Sequence, residues 1–189
     1  MLSENAGTIK REKVADHSVM LFTVGHSTRG IDEFVRLLKA QGVRQVADIR
    51  TIPRSRHNPQ FNRETVGRFL RNRRINYRHI KALGGFRHAR ADSPNTGWRN
   101  TSFRGFADYM QTPEFEVALK KLIDLAARKR TAIMCAEAVP WRCHRSLVGD
   151  ALLARGIEVE DIFSINNIRP HMMTSMARVR AGKITYPRT

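Results

Sequence analysis

The chain is 189 residues long, 41% hydrophobic and 27% charged, a balance that fits one globular domain able to bury its core without metals or disulfides and excludes a disordered or fibrous chain. Its apolar runs all fall short of the roughly 18 residues of a membrane helix, and residues 1–16 lack the apolar stretch of a secretory signal, so a soluble, cytoplasmic protein is expected. With 34 Lys and Arg against 17 Asp and Glu the net charge is +17, which points to an anionic partner and makes nucleic acid or a nucleotide the expected one.

After a polar N-terminal extension over 1–18, residues 19–24 form a continuous apolar run, the pattern of a strand buried on both faces, closed by Gly25. Ile31, Phe34, Val35, Leu37 and Leu38 follow at helical spacing and Gly42 stands where a C-terminal cap belongs, so a helix is expected over 31–41. Residues 43–49 read as a second strand. A loop rich in Pro and Arg, 51–62, leads to a helix over about 63–74 and then to a weaker strand over 75–80. Residues 83–102 turn to Gly, Asn, Ser, Pro and Arg with little periodicity, and so long a segment is expected as a lid or a disordered loop. A short helix over 103–110 comes next. Thr112, Pro113 and Glu114 then supply an N-cap, a first-turn proline and an acid matched to the helix dipole. They open a helix reaching residue 128, with Phe115, Leu119, Leu122, Ile123 and Ala126 as its buried stripe. Residues 131–136 make the clearest later strand, 143–155 a helix closed by Gly156, and 157–163 a final strand. The tail over 164–189 is basic, carries no acid, and fits either a tethered arm or a packed extension.

Strands that alternate with helices need crossover connections, so the expected fold is one α/β domain over 19–163 with a mainly parallel five-stranded sheet flanked by helices. It is Rossmann-like without the dinucleotide fingerprint. Ligands of such sheets bind beyond the carboxyl ends of the strands. The loops 25–30, 50–62 and 137–142 stand there, and they hold the unusual residues.

The densest stretch runs from Met134 to Arg145 across a strand end, a turn and a helix start. Helix N-terminal amides carry partial positive charge, Arg142, His144 and Arg145 add cationic donors, and Cys143 in that field is a better thiolate than in water. Glu137 is either a general base or a clamp for Arg142 or Arg145. Cys135, after Ile133 and Met134, is expected to be buried as a small hydrophobe. Six residues separate Cys135 from Arg142, one more than a cysteine-phosphatase or rhodanese loop has. A Cys-x7-Cys-His spacing with no second pair is a poor zinc pattern, so no metal ligand and no cofactor is assigned.

At the first strand end, His26, Ser27, Thr28 and Arg29 stand between two glycines and ahead of a helix. His26 is a candidate for proton transfer and Ser27 for phosphate binding, with one of Ser27 and Thr28 expected to cap the helix instead. Asp48 and Arg50 end the second strand and Ser55 lies in the loop beyond. An inward Asp48 needs a cationic partner. That partner is expected to be His26 or Arg145, with Arg50 taken to face the other way.

Thr23-Val-Gly-His-Ser27, Asp48-Ile-Arg50, Pro53-x-Ser55 with Phe61, Leu83-Gly-Gly85, Phe106-Ala-Asp-Tyr-Met110, and Met134-Cys-Ala-Glu137 followed by Cys143-His-Arg145 occur in one order. Together they resemble the family catalogued as domain of unknown function 488, over about residues 20–163. The resemblance implies an α/β fold with these loops as its signature and implies no reaction. One position departs from it: where the pattern has Val-x-His-Ile, this chain has Val159, Glu160, Asp161 and Ile162, an acid in place of a histidine.

The leading expectation is an enzyme acting on a phosphate-bearing substrate, nucleic acid or nucleotide. Arg50, Arg142 and Arg145 hold the anion with Ser27, Asp48 and Ser55 about them, and His26, Glu137, Cys143 and His144 are the catalytic candidates. The alternative is a non-catalytic nucleic-acid binder with Phe86 or Trp98 stacking on bases. A second alternative is a thiol redox or sulfur-transfer protein using Cys135 and Cys143.

Overall fold

The computed structural model describes residues 19–188, and the expected extension over 1–18 lies outside them. Strand β1 (Met20–Gly25) is buried from Leu21 onward, as a strand must be when helices cover both faces of its sheet. Alternation sends Leu21 to one face and Phe22 and Val24 to the other. Helices α1 (Ile31–Ala40) and α2 (Arg63–Asn72) close the Phe22 face with Phe34, Leu38, Val66 and Leu70. Helices α3 (Thr101–Tyr109), α4 (Pro113–Arg128) and α5 (Arg145–Leu153) close the Leu21 face with Phe106, Leu119 and Leu147. Helix α4 starts as its sequence dictates: Thr112 Oγ1 accepts from the Phe115 amide at 3.3 Å and Pro113 fills the first turn.

Strands β2 (Gln45–Asp48), β3 (Asn76–His79), β4 (Thr131–Cys135), β5 (Glu158–Ser164) and β6 (Asn167–Pro170) complete a six-stranded sheet in the order β3-β2-β4-β1-β5-β6. All neighbours are parallel except β5 and β6. The α/β sheet expected from sequence is therefore present, enlarged by a sixth strand that the tail supplies. Beyond it β7 (Arg178–Arg180) and β8 (Lys183–Thr185) pair as a hairpin, and Ile184 and Tyr186 enter the core.

The tail is thus a packed extension, and a buried polar network holds it. His171 Nδ1 lies 2.9 Å from Asp161 Oδ2 and its Nε2 lies 3.3 Å from Asp150 Oδ1, while the Tyr186 hydroxyl donates to Asp150 Oδ2 at 2.9 Å. Burial alone would lower the His171 pKa, but the hydrogen bonds and charges of the two carboxylates outweigh it and raise it to about 9. Asp161, the acid that departs from the family pattern, has a structural part here. It accepts from Thr23 Oγ1 on one oxygen and faces His171 on the other.

Residues 83–102 differ from the expected lid or disordered loop. Asp108 on α3 accepts from Ser93 Oγ at 2.5 Å, from Asn95 Nδ2 at 2.7 Å and from the Arg90 amide at 2.8 Å, and Asn95 Oδ1 accepts from the Tyr186 amide. Low periodicity marked a segment ordered by side-chain hydrogen bonds to distant partners, which periodicity does not register. Among the described residues no helix is long and apolar enough to cross a membrane.

Candidate functional site

Strands β1 and β4 are neighbours, yet the loop after β1 leads to α1 on one face and the loop after β4 leads towards α5 on the other. Divergence of that kind opens a crevice beyond the carboxyl ends of the strands. A cleft of about 790 Å³ fills it, lined by the loops after β1, β2 and β4 and flanked by Gly85, Phe86, Asn100 and Phe103. The first and third of those loops are pressed together. The His26 amide donates to Cys135 O at 3.0 Å and the Ser27 amide to Ala136 O at 2.8 Å. Gly25 makes the approach possible, since a Cβ there would stand 1.8 Å from the Glu137 carbonyl oxygen. Ser27 takes φ 48°, a left-handed conformation that costs a non-glycine residue roughly 1–3 kcal/mol. Neither Ser27 nor Thr28 caps α1, contrary to expectation: the N-cap is Gly30, with no side-chain bond. Both line the cleft instead.

Asp48 lies beneath the cleft floor, fully buried, and its partner is Arg50 rather than His26 or Arg145. Arg50 Nε and Nη2 donate to Asp48 Oδ1 and Oδ2 at 2.9 and 2.6 Å, a two-pronged ion pair. Positions two apart share a face of a strand, and Arg50 keeps that line past the end of β2. Tyr77 on β3 donates to the same carboxylate at 2.6 Å. Although burial opposes the guanidinium charge, Asp48 holds the Arg50 pKa above its ordinary value.

His26 is nearly fully buried, stacked on Phe61 with ring centroids 4.2 Å apart. Its Nδ1 lies 2.9 Å from the Ser27 carbonyl and its Nε2 lies 3.1 Å from Arg50 Nη1. A carbonyl only accepts and a guanidinium only donates, so Nδ1 carries the proton and Nε2 the lone pair. Burial lowers its pKa to about 4, with Arg50 adding to the effect. Both ring nitrogens are thereby engaged, and His26 positions Arg50 instead of standing free for proton transfer. Arg50 also donates to Phe61 O at 2.8 Å. Four of its five N–H groups are spent, which leaves one on Nη1 at the cleft wall.

Arg145 does not reach the cleft. Its guanidinium is buried and donates to the carbonyls of Glu137 and Ala138 and to Thr23 Oγ1, so it fixes the turn from behind. The expected clamp between Glu137 and an arginine exists, but it is made by the Glu137 backbone. Its carboxylate is exposed at the cleft and in no ion pair among the described residues. Arg54 and Arg142 are exposed on the lining and equally unpaired among the described residues. Ser55 Oγ accepts from the Asn58 amide at 3.0 Å and still lines the cleft with its hydroxyl hydrogen unspent.

Cys135 ends β4, Cys143 follows the 3-10 turn Pro140–Arg142, and His144 stands at the N-cap position of α5 with its side chain turned elsewhere. Their donor atoms all lie within 4.8 Å of one another on the cleft floor. Cys143 Sγ is 3.7 Å from His144 Nδ1 and accepts from the Arg145 amide at 3.5 Å. The hydrogen bond from Cys135 lowers the Cys143 pKa against the opposing effect of burial, and the same bond, with burial, raises that of Cys135. Cys135 is the buried residue expected of a strand cysteine, and it is also the partner of Cys143.

Sequence reasoning did not reach Tyr77 or the backbone and ring of Phe61 as partners of the site, and it joined the two thiols only in the redox or sulfur-transfer alternative. The signal for each is long-range: strand register brings Tyr77 beside Val46, and a strand-turn-helix brings Cys143 back to Cys135. Of the aromatic residues considered for stacking, Phe86 is 75% exposed at the cleft rim, whereas Trp98 packs on Phe103 and Tyr186.

No curated protein and no solved structure matches this chain. A family model described as domain of unknown function DUF488 matches residues 30–152, from the residue before α1 to the last turn of α5, thereby including Asp48, Arg50, both cysteines and His144. The chain belongs to the DUF488 family.

Proposed function

We propose that the protein is an enzyme acting on a phosphate-bearing substrate, a nucleic acid or nucleotide, bound in the cleft above β1, β2 and β4. The observation that carries this reading is the convergence of Arg54 and Arg142, which have no carboxylate partner among the described residues, the spare Arg50 N–H and the hydroxyls of Ser27, Thr28 and Ser55 on one cavity with a reactive cluster at its floor. Guanidinium groups without carboxylate partners favour phosphate. Phe86 at the rim suits a base, which stacks on an aromatic face irrespective of sequence. Glu137 is the proton acceptor in this reading, being the one carboxylate on the lining among the described residues. The cluster that Cys143 and His144 form with Cys135 at the floor carries the chemistry in this reading, and His26, Asp48 and Arg145 position it and its neighbours.

The test is turnover of single-stranded oligonucleotides and nucleoside phosphates by wild type and by Glu137→Gln and His144→Asn. Loss of turnover with retained fold and binding is expected. Intact turnover in both variants, or a wild type that binds these ligands without altering them, refutes the enzyme reading.

One observation favours the non-catalytic reading. Arg63, Arg68, Arg71 and Arg78 surround a separate hollow of about 470 Å³ between α2 and β3, a basic track suited to a phosphate backbone.

A further inference from the structure

The orientation of His144 is fixed by its neighbours. Its Nε2 lies 3.2 Å from the Ile49 carbonyl, which only accepts, so Nε2 carries the proton and Nδ1 presents a lone pair. That lone pair faces Cys143 Sγ at 3.7 Å. Histidines that bind metals have this arrangement, one nitrogen free for the ion and the other donating to a carbonyl or carboxylate that sets the tautomer.

We propose that Cys135 Sγ, Cys143 Sγ and His144 Nδ1 bind a thiophilic divalent cation, zinc by chemistry, and leave its fourth position open to the cleft. The distances suit a tetrahedral ion. With Zn–S about 2.3 Å and Zn–N about 2.0–2.1 Å, ligand atoms stand about 3.6 Å apart for sulfur and nitrogen and about 3.8 Å for two sulfurs. Cys143 Sγ and His144 Nδ1 are 3.7 Å apart and no pair in the cluster exceeds 4.8 Å, so binding asks for a closure of about 1 Å.

The scaffold holds the ligands without the ion. The Cys143 amide donates to Pro140 O at 2.9 Å, the Arg145 amide donates to the Cys143 sulfur, and the Phe106 ring lies 5.0 Å from the His144 ring. Gly85 packs against that imidazole, where a Cβ would come within 2.4 Å of Nδ1. Charge is also consistent. Each thiol releases its proton on binding, and two thiolates neutralise a dication, so the nearby Arg50 and Arg145 meet a neutral centre. Three protein ligands with one open position are the mark of a catalytic zinc site, whereas structural sites are closed by four. A Cys-x7-Cys-His spacing therefore fails as a structural zinc motif and still fits an open site. A disulfide between the two cysteines would not require the His144 tautomer, so the metal accounts for all three residues together.

The test uses full-length protein, reduced and stripped with a chelator, titrated with Co²⁺ and then Zn²⁺ in the absence of any substrate. One equivalent of Co²⁺ is expected to give thiolate-to-cobalt charge-transfer absorption and tetrahedral d–d bands, bleached by one equivalent of Zn²⁺. Cys135→Ser and Cys143→Ser, checked for fold by circular dichroism, should each lose about half of the charge-transfer intensity, and His144→Asn should weaken binding at least about tenfold. X-ray absorption on the wild-type zinc form needs no variant and should read two sulfurs and two lighter atoms around the ion. The proposal is overturned by a protein with two free thiols that takes up no cobalt, by equal uptake in the Cys135→Ser/Cys143→Ser double variant, or by conversion to a disulfide that equimolar zinc does not prevent. Because no substrate enters the measurement, its failure is separate from failure of the phosphate reading.

Discussion

His26 Nε2 accepts a hydrogen bond from Arg50 Nη1 at 3.1 Å, and Asp48 holds the opposite edge of the same guanidinium. Arg50 is thereby fixed from two sides, with one N–H left over for the cleft. Replacing Asp48 by Ala leaves a buried guanidinium without its counter-ion, which costs about 3–5 kcal/mol. Guanidinium chloride denaturation is expected to read a loss in that range for Asp48→Ala. A loss under about 1 kcal/mol would mean the pair does not bear on stability.

The two histidines buried among the described residues give stability opposite dependences on pH. His26 has a pKa of about 4 in the fold against 6.5 unfolded, so the unfolded chain binds its proton first and stability falls as pH drops from about 6.5 to 4. His171 has a pKa of about 9 in the fold against 6.5 unfolded. Its contribution is complete below about 6.5 and is lost as pH rises through 9. Each shift corresponds to about 3 kcal/mol over its window. His171→Gln should flatten the alkaline limb and leave the acid limb unchanged, as read from denaturation midpoints between pH 4 and 10. An alkaline limb that is the same in the variant contradicts the assignment to the contacts of His171 with Asp150 and Asp161.

Gly25→Ala places a methyl group 1.8 Å from the Glu137 carbonyl oxygen, a backbone atom that no rotamer change can move. The loops after β1 and β4 must then separate, at an expected cost of about 3 kcal/mol or more, the upper end for overpacking. Thermal denaturation checks this. A variant as stable as wild type would show that the two loops are not held at this distance in solution.

Much of the fold was legible because its elements carry local signals. The apolar run of β1, the spacing of Phe34, Val35, Leu37 and Leu38, and the Thr112-Pro113-Glu114 start of α4 each state their own structure. The sixth strand was not legible, because Asn167, Ile168, Arg169 and Pro170 are largely exposed and pair through backbone hydrogen bonds. The rim on which the candidate site lies followed from the rule for ligand positions in α/β sheets. The orientation of its side chains did not. Arg145, expected to hold an anion, is turned inward onto the Glu137 and Ala138 carbonyls, and Cys135, expected first as a buried small hydrophobe and otherwise as a redox thiol, stands at the cleft floor beside Cys143 and His144. Both outcomes depend on which way a side chain leaves the end of a strand or the start of a helix, which residue type does not encode.

Fluorescence anisotropy of a 5′-phosphorylated single-stranded oligonucleotide tests the central claim, that the phosphate-bearing ligand binds in the cleft above β1, β2 and β4. Each charge-assisted contact is worth about 1.5–3 kcal/mol. Arg54→Ala/Arg142→Ala should therefore weaken binding at least about tenfold, while Arg68→Ala/Arg71→Ala in the α2–β3 hollow should leave it nearly unchanged. The reverse pattern, with the hollow variant weakened and the cleft variant unaffected, would contradict the account.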